Sequence, residues 1–374
     1  MIESETREDE KQYAGKGGQK AGLDDAAPRG AHQVKAQVNM LSARSLDCTG
    51  KAQEGVPPPK PCFENFSYKF PVTCDLSVIV PVYNTERYLA ECLGSIVGQK
   101  VDFDMEVVVV NDGSSDGSLN VIKNFAAKDA RIRVIDQANR GFSGARNVAI
   151  DAIRGGVLCF VDSDDVLAPG HLQTLWDELQ RSDADWISGC YSKMSEDGRD
   201  LGAAERVRTH GGPWARMYRR HMWAHVRFPE GFWFEDTLMA YCIKPLFKEA
   251  FANDRGYFHR VHAGSITSTA SRSPKGLDSY WVVEEMLDWC DKLGIPFADV
   301  YRQTILQFGP LLVSGVESLD EESMKCLFAL CCECIGRYYP NIENATIGGG
   351  LGLLEESLLS GNYDMWREAC RWVR

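Results

Sequence analysis

The sequence predicts an α/β protein with a mostly parallel central sheet and a helical C-terminal region. Three observations carry this prediction. Short apolar, β-branched runs recur between residues 76 and 190, and most are followed by a segment with helical spacing of its apolar positions. Beyond residue 276 the helical spacing continues without strand-like runs. Strands alternating with helices are βαβ units, whose strands are covered on both faces and therefore read as unbroken apolar stretches.

Taken in order, Leu76–Val82 (LSVIVPV) is the first strand, with a helix over Glu86–Val97. Met105–Val110 (MEVVVV) is the second, with a helix over Ser118–Lys128. Ile132–Ile135 and Val157–Val161 are the third and fourth, followed by helices over Ala145–Ile153 and Pro169–Arg181, and Ala184–Cys190 is the fifth. Residues 205–270 mix aromatics with a basic stretch. Helical spacing resumes over Tyr280–Leu293, Val300–Val316 and Glu321–Tyr338, and again from Leu351. Residues 1–74 read as a flexible low-complexity tail leaving through Val56-Pro57-Pro58-Pro59-Lys60-Pro61, because that composition cannot bury enough apolar area to order itself. The expected domains are therefore the tail, a sheet domain over 75–275 and a helical region over 276–374.

The 374 residues are 44% hydrophobic and 25% charged, enough to build a large core without a metal or disulfide staple. The net charge of −12 arises beyond the first 70 residues, which makes the body a poor binder of nucleic-acid backbones. Of the 13 cysteines, the tightest group is Cys326, Cys331, Cys332 and Cys334 in a helix-like apolar segment. No histidine there completes a metal site, so they read as small buried hydrophobes in a reducing compartment. No uncharged apolar stretch reaches the roughly 18 residues that span a bilayer, and the N-terminus lacks the apolar region of a secretory signal. The expectation is a cytoplasmic chain, with peripheral attachment to the inner face of a membrane as the alternative.

In parallel sheets, ligands sit beyond the carboxyl ends of the strands, so the residues just after each run matter most. After strand one comes Pro81-Val82-Tyr83-Asn84-Thr85-Glu86, where Pro81 has no amide donor and marks the end of the ladder. After strand two comes Asn111-Asp112-Gly113-Ser114-Ser115-Asp116-Gly117. Asp116 is placed to cap the following helix, whereas Asp112 sits too early to do so. After strand three, Asn139-Arg140-Gly141-Phe142-Ser143-Gly144-Ala145-Arg146 brings two glycines to a helix start, where amide donors favour anions. After strand four, Asp162-Ser163-Asp164-Asp165 crowds three carboxylates that repel unless a cation or hydrogen bonds offset them. A hard divalent cation completed by diphosphate oxygens would do so.

VIVPVYN (78–84), VVVNDGSSDGS (108–118), NRGFSGARNVAI (139–150), FVDSDD (160–165) and FPEGFWFED (228–236) resemble, in order and spacing, the motifs of family 2 glycosyltransferases. The resemblance covers about residues 75–270. It implies the GT-A nucleotide-sugar-binding fold, an inverting mechanism, a nucleotide-sugar donor and Mn²⁺ or Mg²⁺. It also implies roles for particular residues. Pro81, Tyr83, Asn84 and Glu86, with Asp112, would line the nucleoside pocket. Arg146 would bind the nucleotide or balance the acidic cluster. Asp162 would face the ribose and, with Asp164, form the DxD motif that holds the metal. Glu235 and Asp236 would be the catalytic acidic pair, with Asp236 as the base. The nearest match to the Q/R-x-x-R-W motif of processive synthases, Arg219-Arg220-His221-Met222-Trp223, lacks an arginine before the tryptophan. A non-processive enzyme is expected, moving one sugar from a UDP-sugar to a glycan or lipid-linked acceptor in cell-surface polysaccharide synthesis. The rival readings are a nucleotidyltransferase, whose glycine-rich loop is missing after strand one, and an inactive nucleotide-sugar-binding scaffold.

Three weaker signals remain. Arg206, Arg208, Arg216, Arg219 and Arg220 are either a phosphate-facing patch or a solvated face. His259 and His262 are either near the diphosphate or ordinary surface residues. Tyr363, Trp366, Cys370 and Val373 form an apolar helical stripe flanked by Arg367, Arg371 and Arg374. Packing against the preceding helices is preferred for this stripe over peripheral docking on an anionic membrane through the C-terminal helix.

Overall fold

The computed structural model describes residues 68–202, 211–262, 273–317, 319–342 and 346–372. Most of the proline-containing tail and the segment Gly264–Thr267 lie outside them. The main sheet begins with β1 (Cys74–Val82), β2 (Met105–Asp112), β3 (Ile132–Gln137) and β4 (Gly155–Phe160). Between them run α1 (Glu86–Val97), α2 (Ser118–Ala126) and α3 (Gly141–Ala152). Then follow β5 (Val166–Leu167), α4 (His171–Arg181), β6 (Trp186–Ser188), β7 (Tyr191–Ser195), β8 (Arg216–Arg219), β9 (Glu249–Phe251) and β10 (Tyr257–Val261). The seven-stranded sheet has the order β3-β2-β1-β4-β8-β6-β9, and β5-β10-β7 form a second, smaller sheet. Strands β3, β2, β1 and β4 are parallel, while β8 runs antiparallel to both its neighbours.

Alternation along the strands explains the layers. Val78 and Val80 of β1, Val107 and Val109 of β2, and Val157 and Cys159 of β4 point into a core shared with Leu89, Leu93 and Ile96 of α1 and Leu172, Leu175 and Leu179 of α4. Ile79, Val108, Val110, Leu158 and Phe160 point the other way, onto Ala145, Ala149 and Ile150 of α3. That second core continues without a break into the C-terminal helices α5 (Asp278–Leu293), α6 (Phe297–Leu306), α7 (Glu321–Tyr338), α8 (Gly350–Ser360) and α9 (Tyr363–Trp372).

The predicted strands and helices are present, with three informative differences and one preference that the packing follows. The fifth predicted strand is not the neighbour of the fourth, because β8 inserts between them. Its sequence, RMYR, hides the strand because the side chain of Arg216 is itself buried. The single helix expected over Val300–Val316 breaks after α6: Pro310 lacks an amide donor, and Gly309 lies so close to Leu354 that a Cβ would meet Leu354 Cδ1 at 2.7 Å. The described arginines of the basic stretch are neither a phosphate patch nor a solvated face. Arg216 donates to the carbonyls of Gly211 and Gly212, Arg219 to those of Ala184 and Leu179, and Arg220 to that of Phe70. Arg206 and Arg208 lie outside the described residues. Finally, the stripe on α9 is spent inside the protein: Trp366 and Cys370 are buried, and Trp366 Nε1 donates to the Phe308 carbonyl at 2.8 Å. Val373 and Arg374 lie outside the described residues. The Trp366 and Cys370 part of the face considered for membrane docking is thus covered, and no helix among the described residues is long and apolar enough to cross a membrane.

Of the four clustered cysteines expected to be buried, Cys331 and Cys334 are buried, whereas Cys326 and Cys332 are half-buried.

Candidate active site

Because β2, β1 and β4 are adjacent and parallel, their carboxyl ends bring Asp112, Pro81–Glu86 and Asp162–Asp165 to one edge of the sheet. The loops after β1 and β2 are laced together. Asn84, held at φ 53°, accepts from Ser115 N at 2.7 Å, and its own amide donates to Ser114 Oγ at 3.1 Å. Asp116 accepts from Ser118 N at the start of α2, as expected, and also from Glu86 N at the start of α1. Glu86 returns the favour by accepting from Gly117 N at 2.8 Å. Its carboxylate therefore serves this clasp, as Asn84 does, while Tyr83 stands half-exposed beside them.

Asp112 is 2% exposed. Its Oδ1 accepts from Gln137 Nε2 at 2.7 Å and from Arg140 N at 2.9 Å, so it supports the start of α3 rather than α2. Its Oδ2 is buried without a hydrogen-bond partner. Burial, only partly offset by these bonds, raises its pKa above the ordinary aspartate value. An orphan acceptor at a strand end is suited to a ligand N–H.

Gly141, at φ 73°, and Gly144 both lie in the first turn of α3, so this helix starts four residues earlier than its apolar spacing indicated. One turn further in, the buried Arg146 joins two loops. Its Nη2 donates to Asp162 Oδ1 at 2.8 Å, and its Nη1 donates to Glu235 Oε1. Phe142 and Phe228 flank the guanidinium at 5.7 and 5.4 Å. Burial opposes its charge, but Asp162 and Glu235 outweigh this and hold it protonated. These ion pairs are the geometry that the second of the two roles expected for Arg146, balancing the acidic cluster, requires.

Glu235 and Asp236 enter through a turn in which Phe234 adopts φ 63°, a strained value for an aromatic residue. Thr237 N, Leu238 N and Met239 N then bond back to the carbonyls of Phe234, Glu235 and Asp236. A π-helical turn, Met239–Ile243, follows, a form often found at functional sites. Burial raises the pKa of both carboxyls; for Glu235 the nearby Asp236 adds to this, and Arg146 works against it for each. Glu235 is bound to Arg146, while Asp236 receives no side-chain hydrogen bond from another described residue.

The acidic turn after β4 divides its labour. Asp162 faces Arg146. Asp164 Oδ2 meets His262 Nε2 at 2.9 Å. Asp165, fully buried, accepts from Tyr257 Oη at 2.6 Å and Arg260 N at 2.8 Å, tying the turn to β10. His259, 3.4 Å from Asp165, stacks on Trp214 at 5.2 Å. Both histidines thus lie against the acidic turn. Sequence reasoning missed Asp165 as an internal strut, along with Arg140, Asn147 and Glu230, which lash α3 to the loop before Glu235. Arg140 and Glu230 stand inside the quoted motifs, but they are 90 residues apart. No local spacing links them.

The donor set bears on a metal. Asp164 offers a carboxylate with an imidazole beside it, and Asp162 is already engaged by Arg146. That leaves most of a coordination shell to other oxygens, which is how Mg²⁺ or Mn²⁺ is held alongside phosphates. The residues fit a cation brought together with a diphosphate better than one caged by protein alone.

A mostly parallel α/β sheet that gathers an acidic turn, a glycine-opened helix and a buried carboxylate pair at its carboxyl edge defines the GT-A class of glycosyltransferase fold. Residues 77–246 match the sequence profile described as Glycosyl transferase family 2. The chain is 31% identical over 221 residues to glycosyltransferase GlyG of Streptococcus pneumoniae, an alignment covering 52% of this chain and 73% of that one. It is 42% identical over 124 residues to the uncharacterized glycosyltransferase EpsJ of Bacillus subtilis, covering 33% of this chain and 36% of EpsJ. Its fold is similar to that of Staphylococcus aureus TarS residues 1–349 in complex with UDP-GlcNAc, with a TM-score of 0.62 at 20% identity, covering 80% of this chain and 91% of TarS 1–349. The chain belongs to glycosyltransferase family 2 and is a glycosyltransferase.

Proposed function

We propose that the chain is an inverting, metal-dependent, non-processive glycosyltransferase. It moves one sugar from a UDP-sugar to a glycan or lipid-linked saccharide in cell-surface polysaccharide synthesis. The carrying observation is the buried Arg146 bridge, which holds the acidic turn at Asp162 and the carboxylate pair at Glu235–Asp236 on opposite sides of one cation. The UDP-GlcNAc complex of TarS, a protein of similar fold, supports a uridine nucleotide as the donor. The orphan Asp112 Oδ2 supplies an acceptor for a base N–H, with Pro81 and the Tyr83–Glu86 loop alongside.

In this reading Asp236 accepts the proton of the acceptor hydroxyl as that oxygen attacks the anomeric carbon opposite the leaving diphosphate. Its raised pKa suits this task, because a base is most effective when its pKa lies near the working pH. Glu235, held by Arg146, fixes the direction in which its neighbour points. Asp164, with Asp162 next to it in the turn, would hold Mn²⁺ or Mg²⁺, and the bound ion would offset negative charge on the leaving diphosphate. Inversion follows from one base and one displacement, with no covalent sugar–enzyme intermediate. Nucleotidyl transfer has no supporting loop after β1. The free Asp236 carboxylate argues against an inactive scaffold.

The test is a screen of UDP-sugars, with and without Mn²⁺, followed by coupled detection of released UDP. Turnover with at least one UDP-sugar is expected, together with loss of that turnover in Asp236→Asn. Release from no UDP-sugar, or an Asp236→Asn variant as fast as the parent, would overturn the reading.

A further inference from the structure

The loop that carries Glu235 and Asp236 is held at a second point, upstream of Arg146. Arg140 Nη2 donates to both carboxylate oxygens of Glu230 at 2.9 Å. Glu230 Oε1 also accepts from Asn147 Nδ2 at 3.1 Å. Asn147 is locked in turn, donating to the Phe228 carbonyl and accepting from the Phe228 amide, both at 2.9 Å. Gly144 leaves room for the Arg140 side chain to fold back over the first turn of α3: a Cβ there would lie 2.5 Å from Arg140 Cβ, whereas Glu230 Oε2, at 3.5 Å, would be in ordinary contact. At its other end, the Arg140 backbone amide is one of the donors to Asp112 Oδ1. Arg140 therefore touches the strand-end carboxylate of the donor side with its main chain and the loop before the carboxylate pair with its side chain.

Stability does not account for this pair well. A buried ion pair typically gains little over well-packed apolar residues of the same size, because desolvation offsets the attraction. What a charge-assisted contact adds, here one guanidinium nitrogen held between both carboxylate oxygens, is fixed orientation. Geometry near the reacting atoms is where orientation matters, since a misplacement of about 1 Å can cost on the order of 100-fold in rate.

We propose that Glu230 is a positioning residue which, through Arg140, registers the Glu235–Asp236 loop against the Asp112 end of the nucleotide pocket. The presence of a nucleotide is then felt at the base. This rests on the reading of the pocket as a uridine-nucleotide site and of Asp236 as the base. Glu230 and Arg140 touch neither the sugar nor the diphosphate in this arrangement; they act through the backbone they hold.

The experiment uses the full chain and UDP as the probe. UDP affinity is measured by titration calorimetry, and amide hydrogen exchange over residues 231–238 is followed with and without saturating UDP. Wild-type protein is expected to bind UDP and to slow exchange in that loop when it does. Glu230→Gln is expected to keep its UDP dissociation constant within about threefold, lose the UDP-dependent slowing, and fall at least tenfold in UDP-sugar turnover with KM for the donor little changed. Arg140→Lys, which keeps the charge but not the planar guanidinium that places Nη2 between the two oxygens, is expected to lose a smaller part of the slowing and provides the readout should Glu230→Gln not fold. Three results would overturn the proposal: UDP-dependent slowing retained in Glu230→Gln; faster loop exchange by the same factor with and without UDP, which marks a stability staple alone; or UDP affinity lost in step with turnover, which places Glu230 in the donor pocket. Wild-type protein that does not bind UDP defeats the nucleotide reading first, before any variant is compared, and the coupling falls with it.

Discussion

Among the described residues Arg146 is the one cation paired with both Asp162 and Glu235, with Asp236 next in the chain, so its removal is the sharpest perturbation of this site. Arg146→Met keeps much of the side-chain volume between Phe142 and Phe228 and deletes the charge. Removing one partner of a buried ion pair costs about 3–5 kcal/mol, because the other partner is left charged and unpaired. The Asp162 side chain is 27% exposed, so water recovers part of its share, and the lower end, about 3 kcal/mol, is expected at pH 8. Against a typical total of about 5–15 kcal/mol the variant still folds. The loss depends on pH with a definite sign. A carboxyl whose folded pKa lies above its unfolded value binds more protons when folded, so stability falls as pH rises between those two values and levels off above the folded one. Burial already raises Glu235 and Asp236, and losing Arg146 raises them further, widening that window upward. Each pH unit within it costs about 1.4 kcal/mol per retained proton, so the deficit of the variant grows by on the order of 1 kcal/mol from pH 6 to pH 8. Urea denaturation of both proteins at the two pH values measures this directly. A deficit below about 1 kcal/mol at pH 8, or an equal deficit at both, would refute the claim that Arg146 neutralises a buried acidic set.

Asp236→Asn is expected to slow transfer by about 10²–10⁴-fold while UDP affinity stays within about twofold, read by coupled UDP release and by titration; an unchanged rate would remove Asp236 from the role of base. In the wild-type enzyme the base must be unprotonated and its pKa is raised, so kcat/KM rises with pH through a limb lying above the ordinary carboxylate pKa of about 4. A pH–rate profile already flat down to about pH 4.5 would contradict that. Asp165→Ala leaves the buried Tyr257 hydroxyl and Arg260 amide without their acceptor and is expected to cost about 2–4 kcal/mol by urea denaturation. A loss indistinguishable from zero would mean that Asp165 does not anchor the acidic turn.

The sheet was legible because each central strand carries an apolar run (VIVPV, VVVV or VLCFV) that gives way to polar residues at Tyr83, Asn111 or Asp162, and that pattern fits burial on both faces. The strand ends were legible for the same reason, since polar residues directly after such runs lie at the carboxyl edge. β8 was not, because its apolar signal is masked by Arg216 and Arg219, whose guanidiniums are turned onto backbone carbonyls. Composition labels such residues a charged surface. Asp112 was recognised as more than a cap for α2, but its support of α3 depends on a contact across 28 residues. The link from Arg146 to Glu235 spans 89 residues, and only the resemblance of both motifs to one family brought them into the same site. The Arg140–Glu230 ion pair had no sequence signal beyond two charges inside those motifs.

The central claim is that Asp164, at the carboxyl edge of the parallel strands, shares a divalent cation with a uridine diphosphate. Titration calorimetry of UDP with and without Mn²⁺, on wild-type protein and on Asp164→Ala, tests it most directly. The account predicts that Mn²⁺ strengthens UDP binding to the wild type at least tenfold and makes little difference to the variant. Equal strengthening in both proteins would contradict it.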